Sequence, residues 1–336
     1  MKKFFVLILL LVIAGCNSQP ADTSNSGSDS DSNSTADDSN RRLQIAVIPK
    51  GTAHEFWKSV HAGAEKAAEE RGVDIIWKGP QIENDTAGQI QTVRNFITKK
   101  VDGICLAPNH SEALQEVVEE AKLSDIPVVI FDSGLAEGAE FLSYVATDNF
   151  HGGELAAQQL AKAIGEKGSV IMMRYRAGSE STEQREEGFL SAIKEFPDIE
   201  VVSSDQYGEA TTAMALEKAQ TLLLKYGDEI QGTFAVCEPN CNGMLEALEN
   251  SGHAGKVKFV AFDPSEKLVT GLREDKVHGI VLQDPVSMGY KSVMTMVDHL
   301  EGKDVEKVVS TGEFVATPEN IDGDESQRLL HPVTVE

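Results

Sequence analysis

The sequence predicts an α/β protein with two Rossmann-like lobes, each a parallel sheet flanked by helices. After Arg42, short β-rich segments alternate with helical segments, and after one set of strands the alternation begins again. Such alternation is typical of parallel sheets covered by helices on both faces. The length of 336 residues also exceeds what a single hydrophobic core usually organises.

The first residues are predicted to lie outside this fold. Lys2 and Lys3 precede an apolar segment, 4–14, that is too short to span a bilayer. The order Ile-Ala-Gly-Cys that ends at Cys16 resembles a bacterial lipobox. Residues 1–15 are therefore predicted to be a lipoprotein signal peptide, and Cys16 to be lipidated and to anchor the chain to a membrane. An ordinary signal peptide with an incidental cysteine is the alternative.

Residues 16–42 are predicted to be the lipidated cysteine and a disordered acidic tether. Between 17 and 40 there are five aspartates, no lysine or arginine and no hydrophobic cluster. Such a segment cannot bury enough apolar surface to offset the entropy lost on ordering. The formal charge of −24 argues against nucleic acid, whose binding requires clustered Lys and Arg.

Strands are predicted where short segments are rich in β-formers. They fall at 43–48, 74–77, 103–107, 127–131 and 144–147, and then at 169–173, 199–204, 232–236, 258–262 and 279–283. Helices are predicted from apolar residues at three- and four-residue spacing, at 54–71, 86–100, 111–123, 183–195, 210–226, 241–251 and 265–274. A helix at 285–301 and a short strand near 313–317 follow.

The two contiguous strand sets give the lobe boundaries. The assignments are 43–148 plus 284–312 for the N-terminal lobe, 149–283 plus 313–323 for the C-terminal lobe, and 324–336 for a C-terminal tail. The chain then crosses between the lobes three times, near Thr147–Asn149, near Gln283 and near Gly312–Val315. These crossings are predicted to form a hinge.

Three cysteines remain after Cys16. Cys105 lies in an apolar segment and is predicted to be a small buried hydrophobe. Cys237 and Cys241 could form a local disulfide, hold a metal or remain free thiols. A metal is disfavoured because no His or other Cys lies near them in sequence.

Polar and aromatic side chains follow the predicted strands at their carboxyl ends, where open α/β sheets bind ligands. The candidate binding residues are His54, Phe56, Trp57, Asn109, Asp132 and Ser133 in the first half, and Arg185, Tyr207, Cys237, Asp263 and Gln283 in the second. Sugars suit this combination, because their C–H faces stack on aromatic rings and their vicinal hydroxyls pair with planar polar groups. The sequence therefore predicts a sugar or polyol site between the lobes.

Several of these residues also have a purely structural interpretation. Asp132 and Asp263 could cap helices that follow them. Arg185 lies among glutamates and could be a solvated ion-pair residue of little consequence. Phe56 and Trp57 are neighbours about 100° apart on a helix, so only one can face the core squarely.

Several segments share an order and spacing with a known family. They are Phe56-Trp57 before Ala62-Gly63-Ala64, Phe131-Asp132-Ser133-Gly134, Thr147-Asp148-Asn149 with Gly152-Gly153, the segment 182–189 around Arg185, Ala261-Phe262-Asp263, and Leu282-Gln283-Asp284-Pro285. Together they resemble the type I periplasmic solute-binding proteins of the ribose- and galactose-binding group, over residues 43 to 320. The resemblance implies a periplasmic or cell-surface binding component of an ABC importer, which closes its lobes on a sugar and is read by a membrane permease.

The departures from the family pattern concern the ligand. His54 stands where ribose-type relatives often have Asn, Ser133 where they have Arg, and Cys237-Glu238 where they have Asn-Asp. Ribose is therefore disfavoured, and a hexose, another pentose or a polyol is left open. The protein is expected to be a monomer without cofactor or metal. A ligand-presenting sensor is one alternative, and a secreted enzyme is another, disfavoured because the common catalytic and nucleotide-binding motifs are missing from the sequence.

Overall fold

The computed structural model describes residues 41–335, which form two α/β lobes. The predicted signal peptide, the lipidation site Cys16 and the tether up to residue 40 lie outside the described residues. Within 41–335, no helix combines the length and the apolar character that a membrane crossing needs.

The first lobe is built on a six-stranded sheet. Its elements are β1 (Gln44–Ile48), α1 (Glu55–Arg71), β2 (Asp74–Trp77), α2 (Thr86–Lys99), β3 (Gly103–Leu106), α3 (Gln115–Leu123), β4 (Val128–Phe131), β5 (Ser143–Ala146), α9 (Pro285–Leu300) and β11 (Val308–Ser310). The strand order is β11-β5-β4-β3-β1-β2, and every pairing is parallel.

The second lobe repeats this arrangement. Its elements are α4 (Asn149–Ile164), β6 (Gly168–Arg174), α5 (Glu180–Ala192), β7 (Ile199–Tyr207), α6 (Thr212–Tyr226), β8 (Gly232–Ala235), α7 (Glu238–Asn250), β9 (Lys258–Phe262), α8 (Glu266–Arg273), β10 (Gly279–Gln283), β12 (Glu313–Ala316) and α10 (Asp324–Leu330). The strand order is β12-β10-β9-β8-β6-β7. The predicted fold class is confirmed.

Each sheet is covered on both faces, because its strands carry apolar side chains on both sides. In the first lobe, one face packs against α1 and α9 and the other against α2 and α3. In the second lobe, α4 and α5 cover one face, and α6, α7, α8 and α10 cover the other.

Glycines let two helix pairs approach backbone to backbone. A Cβ atom on Gly63 of α1 would lie 1.9 Å from the carbonyl oxygen of Val286 in α9. In the second lobe, a Cβ atom on Gly153 of α4 would lie 2.1 Å from the carbonyl oxygen of Arg185 in α5. The second contact holds α5, which carries Arg185, close against the N-terminal part of α4.

Three features differ from the sequence predictions. Helix α4 and strand β11 were not predicted, and β12 pairs antiparallel with β10 instead of parallel. Only two residues separate β11 from β12. The chain therefore leaves the first sheet at its carboxyl edge and enters the second at its carboxyl edge, which reverses the direction of β12.

The predicted C-terminal tail, 324–336, is corrected. Residues Asp324–Leu330 form α10, and Leu329 and Leu330 are buried in the core of the second lobe. Ser326 is buried on the same face, so the helix presents one side to the lobe at three- and four-residue spacing.

Candidate ligand-binding cleft

Side chains from both lobes enclose a cavity at the carboxyl ends of the two sheets. Its lining residues are Lys50, His54, Phe56, Trp57, Glu83, Asp132, Tyr175, Ser181, Thr182, Arg185, Cys237, Glu238, Pro239, Asp263 and Gln283. The volume of this cavity is about 30 Å³. The cleft is therefore narrow in this conformation.

The lobes are closed onto each other by hydrogen bonds across the cleft. Lys50 of the first lobe donates to the hydroxyl of Ser181, at 2.8 Å. The amide of Ser181 donates to the hydroxyl of Ser133, at 3.0 Å, and the amide of Gly134 donates to the carboxylate of Glu180, at 2.7 Å. The N-terminal turn of α5 in the second lobe is thus in contact with the residues that follow β4 in the first lobe.

Asp132, at the end of β4, forms a buried ion pair with Lys50. The ammonium nitrogen of Lys50 lies 2.9 Å from Asp132 Oδ2, and both side chains are 5% exposed. Asp132 has a left-handed backbone, with φ of 63°. The next element after it is strand β5, so the helix-capping interpretation does not apply to Asp132.

Asp263, at the end of β9, likewise has a left-handed backbone and lies beside a buried cation of its own lobe. Its φ is 67°, and it lies 3.6 Å from Arg185 Nη1. Gln283 donates from Nε2 to Asp263 Oδ1 at 2.7 Å, while Gln283 Oε1 is buried without a hydrogen-bond partner among the described residues. Burial raises the pKa of Asp263, and Arg185 opposes the shift. The cap of α8 is Ser265 and not Asp263.

Arg185 is a buried cation and not a solvated surface residue. Its side chain is 3% exposed. Its Nε donates to Asn149 Oδ1 at 2.8 Å and its Nη1 to the carbonyl of Val236 at 3.0 Å. The guanidinium carbon also lies 3.8 Å from the ring centre of Phe262. Arg185 therefore links the first interlobe crossing to the floor of the cleft.

Glu83, from the loop between β2 and α2, is a buried carboxylate with three side-chain donors. It accepts hydrogen bonds from His54 Nδ1 at 2.9 Å, Trp57 Nε1 at 2.7 Å and the Tyr175 hydroxyl at 2.7 Å. Burial alone would raise the pKa of Glu83, but the hydrogen bond and charge of His54, with the charge of Lys50 and the hydrogen bond from Trp57, lower that pKa to about 2. Burial alone would lower the pKa of His54, but Glu83 raises it to about 9.

The segment Cys237-Glu238 opens helix α7 on the second-lobe side of the cavity. Cys237 is the residue before the helix and its side chain makes no capping hydrogen bond. Burial raises the pKa of the Cys237 thiol, which therefore stays protonated. Burial also raises the pKa of Glu238 to about 7, against the opposing charge of His54. Of the states left open for Cys237 and Cys241, the structure has two free thiols.

The structure brings most of the predicted site residues together. The cavity is lined by His54, Phe56, Trp57, Asp132, Arg185, Cys237, Asp263 and Gln283. Trp57 is 2% exposed and belongs mainly to the core, whereas Phe56 is half-buried. Of these two neighbours, only one was expected to face the core, and that residue is Trp57.

Three predicted residues do not line the cavity. Ser133 uses its hydroxyl to join the lobes, as described above. Asn109 is fully buried behind the cavity, and its side-chain amide has no hydrogen-bond partner among residues 41–335. Tyr207 ends β7, the outermost strand of the second sheet, and its ring lies beside Arg174.

Several lining residues were not predicted. They are Lys50, Glu83, Tyr175, Ser181, Thr182, Glu238 and Pro239. Lys50 and Tyr175 follow the ends of β1 and β6 within two residues, so the strand-end rule was sufficient to find them. Glu83 lies well beyond the end of β2, and nothing in its local sequence indicates burial.

Two α/β lobes that close over a buried polar cavity define a solute-binding protein of the periplasmic type. Residues 45–304 match the family model described as periplasmic binding protein domain, and the chain belongs to this family. The predicted family is thereby confirmed.

Named relatives are similar along most of the chain. The ribose import binding protein of Bacillus subtilis is 28% identical over 316 residues, covering 92% of this chain and 97% of that protein. A solved ABC transporter solute-binding protein from Agrobacterium vitis, with bound D-fucose, is 35% identical with a TM-score of 0.83, covering 86% of this chain and 100% of that chain. A carbohydrate transporter solute-binding protein from Agrobacterium radiobacter, in complex with D-arabinose, is 32% identical with a TM-score of 0.83, covering 87% and 100%.

These similarities confirm the predicted class, an extracytoplasmic solute-binding component of ABC transporters. The relatives are binding proteins by name and not enzymes.

Proposed function

We propose that this protein binds a neutral sugar or polyol between its lobes and delivers it to an ABC importer. The observation that carries this proposal is that each buried cation lining the cleft is paired with a carboxylate, while burial raises the pKa of the remaining carboxyl, Glu238, to about 7. Lys50 pairs with Asp132 at 2.9 Å, His54 with Glu83 at 2.9 Å, and Arg185 with Asp263 at 3.6 Å. A ligand with a net charge would then be buried without compensation, which is strongly unfavourable.

The groups that remain available suit hydroxyls. Gln283 Oε1 is an unpartnered acceptor, and the carboxylates of Asp132 and Asp263 have acceptor capacity beyond the contacts they make. Phe56 supplies an aromatic surface at the same cavity. The D-fucose and D-arabinose bound by similar proteins are neutral sugars of this kind.

A thermal-shift screen tests this proposal. The panel pairs neutral sugars and polyols with charged counterparts, such as galactose with galacturonic acid and galactosamine. A ligand at 100 times its dissociation constant adds about 2.7 kcal/mol of stability, which is readily seen. We expect stabilisation by one or a few neutral members only. Stronger stabilisation by a charged counterpart would contradict the proposal.

The mature protein is further proposed to be a monomer held at the membrane by lipid on Cys16. The lipobox-like order Ala14-Gly15-Cys16 supports the anchor. In this arrangement, the acidic segment between Cys16 and the first lobe lets the binding lobes reach the permease.

A further inference from the structure

Glu83 connects two cavity-lining side chains of its own lobe to the opposite lobe. Its Oε1 accepts hydrogen bonds from His54 and Trp57, and its Oε2 accepts one from Tyr175 at the end of β6. Its carbonyl oxygen also accepts from Arg176, at 3.2 Å. All four donors come from segments distant in sequence, so the loop that carries Glu83 is fixed by the cleft itself.

The two ring nitrogens of His54 have different surroundings. Nδ1 is 2.9 Å from Glu83 Oε1, so the proton on Nδ1 is held by a carboxylate. No hydrogen-bond partner of Nε2 is found within residues 41–335, and the ring lines the cavity. A carboxylate on one nitrogen fixes the ring orientation and favours a proton on the other nitrogen as well.

We propose that Glu83 is a positioning residue for specificity: it keeps His54 as an imidazolium whose Nε2–H donates a hydrogen bond to an oxygen of the bound sugar. This inference rests on the proposed function, because it assumes a ligand with acceptor oxygens. A charged donor forms a shorter and stronger hydrogen bond than the amide that ribose-type relatives often have at this position. His54 would then select ligands that place a hydroxyl or ring oxygen opposite it.

The carboxylates of the second lobe that face His54 act in the same direction as Glu83. Glu238 and Asp263 face His54 from the second lobe and add to the effect of Glu83, which raises the pKa of His54 to about 9. Lys50, Tyr175 and Arg176 face Glu83. Since the carboxylates outnumber the cations near His54, protonation of the ring relieves repulsion in the closed cleft.

The test replaces Glu83 with Gln, which keeps the size of the side chain and removes its charge. Histidine titration is followed by NMR in the ligand-free protein, with His54→Asn used to assign the signal. In wild type, we expect His54 to titrate above pH 8. In Glu83→Gln, we expect titration at or below the ordinary histidine value of about 6.5, because burial then acts without the carboxylate.

Binding is then measured by calorimetry from pH 6 to pH 8 with D-fucose, D-arabinose and the best neutral sugar of the screen. In the wild type, titration of His54 should change the affinity for the sugar little between pH 6 and pH 8. In Glu83→Gln, affinity should weaken by about tenfold per pH unit above the lowered pKa, because neutral His54 keeps its proton on Nδ1 and cannot donate from Nε2. A Glu238→Gln background removes the carboxyl whose pKa is about 7 and would otherwise titrate in this window.

Tyr175→Phe is the matched control for lobe closure. It removes the hydrogen bond from the second lobe to Glu83 but leaves the His54–Glu83 pair intact. We therefore expect the same loss of affinity at every pH. The inference is overturned if wild-type His54 titrates near 6.5, or if Glu83→Gln and wild type have the same pH profile. Should wild type bind only charged ligands, the proposed function fails, while the NMR titration still decides the role of Glu83.

Discussion

Asp132→Asn removes one charge of the buried pair with Lys50 and leaves the shape of the strand end unchanged. Asp132 has φ of 63°, a left-handed conformation that Asn tolerates better than most residues. The variant therefore isolates the charge, whereas alanine would add backbone strain at the same position.

The expected cost falls on the closed form. Lys50 is 5% exposed in the ion pair, and its ammonium is covered by Ser179 and Ser181 of the second lobe. When the lobes open, this cover is lost and water can solvate Lys50. Breaking a buried pair costs about 3–5 kcal/mol, but the two serine hydroxyls compensate Lys50 in part. We expect a loss of about 1.5–3 kcal/mol in binding, or roughly ten- to a hundredfold in affinity.

The assay combines calorimetric titration of the best neutral sugar with the melting temperature of the ligand-free protein. Asp74→Asn is the matched control, because Asp74 lies on the same sheet but forms a half-exposed pair with Arg42 at 3.0 Å. Such surface pairs contribute about 0–1 kcal/mol. A lower melting temperature for Asp132→Asn, together with unchanged affinity per folded molecule, would refute this reasoning and make Asp132 a structural residue.

Three further predictions concern packing, closure and the anchor. Gly63→Ala should lower the free energy of unfolding by about 1–3 kcal/mol, because the added Cβ would lie 1.9 Å from the carbonyl oxygen of Val286; chemical denaturation measures this, and an unchanged midpoint would contradict it. Saturating sugar should reduce the radius of gyration in small-angle scattering, since the lobes close about the crossings near Thr147 and Gln283; a constant radius would count against closure. Cys16→Ser should release the protein from membranes or leave it unprocessed, and fractionation like processed wild type would exclude the lipid anchor.

The sequence predicted the fold because the deciding signals are local. Most strands and most helices carry their own local signal, and the repetition of the alternation indicates two sheets. Strand β11 has no such signal, since it is three residues long and depends on pairing with β5. Helix α10 also has a weak signal, because only Leu329 and Leu330 mark its buried face in the sequence.

The site was predictable where a residue ends or directly follows a strand inside the sheet. Asp132, Asp263 and Gln283 were found by this rule. Tyr207 fails it because the position of β7 at the sheet edge is set by strand order, which the sequence does not contain. Glu83 could not be found, because its burial depends on three donors from two other parts of the chain, the segment 54–57 and Tyr175.

The alternative interpretations of the two aspartates are decided by backbone geometry and by symmetry between the lobes. Asp132 and Asp263 end equivalent strands with φ of 63° and 67°, and each pairs with a cation of its own lobe, Lys50 or Arg185. Lys50 and Arg185 are therefore each paired with a carboxylate before the lobes meet. Closure then buries two ion pairs that already exist, so the free energy of closure depends on the hydrogen bonds that a neutral ligand completes between the lobes. A charged ligand would upset the balance in either half, which is why the pairing predicts selection against sugar acids and amino sugars.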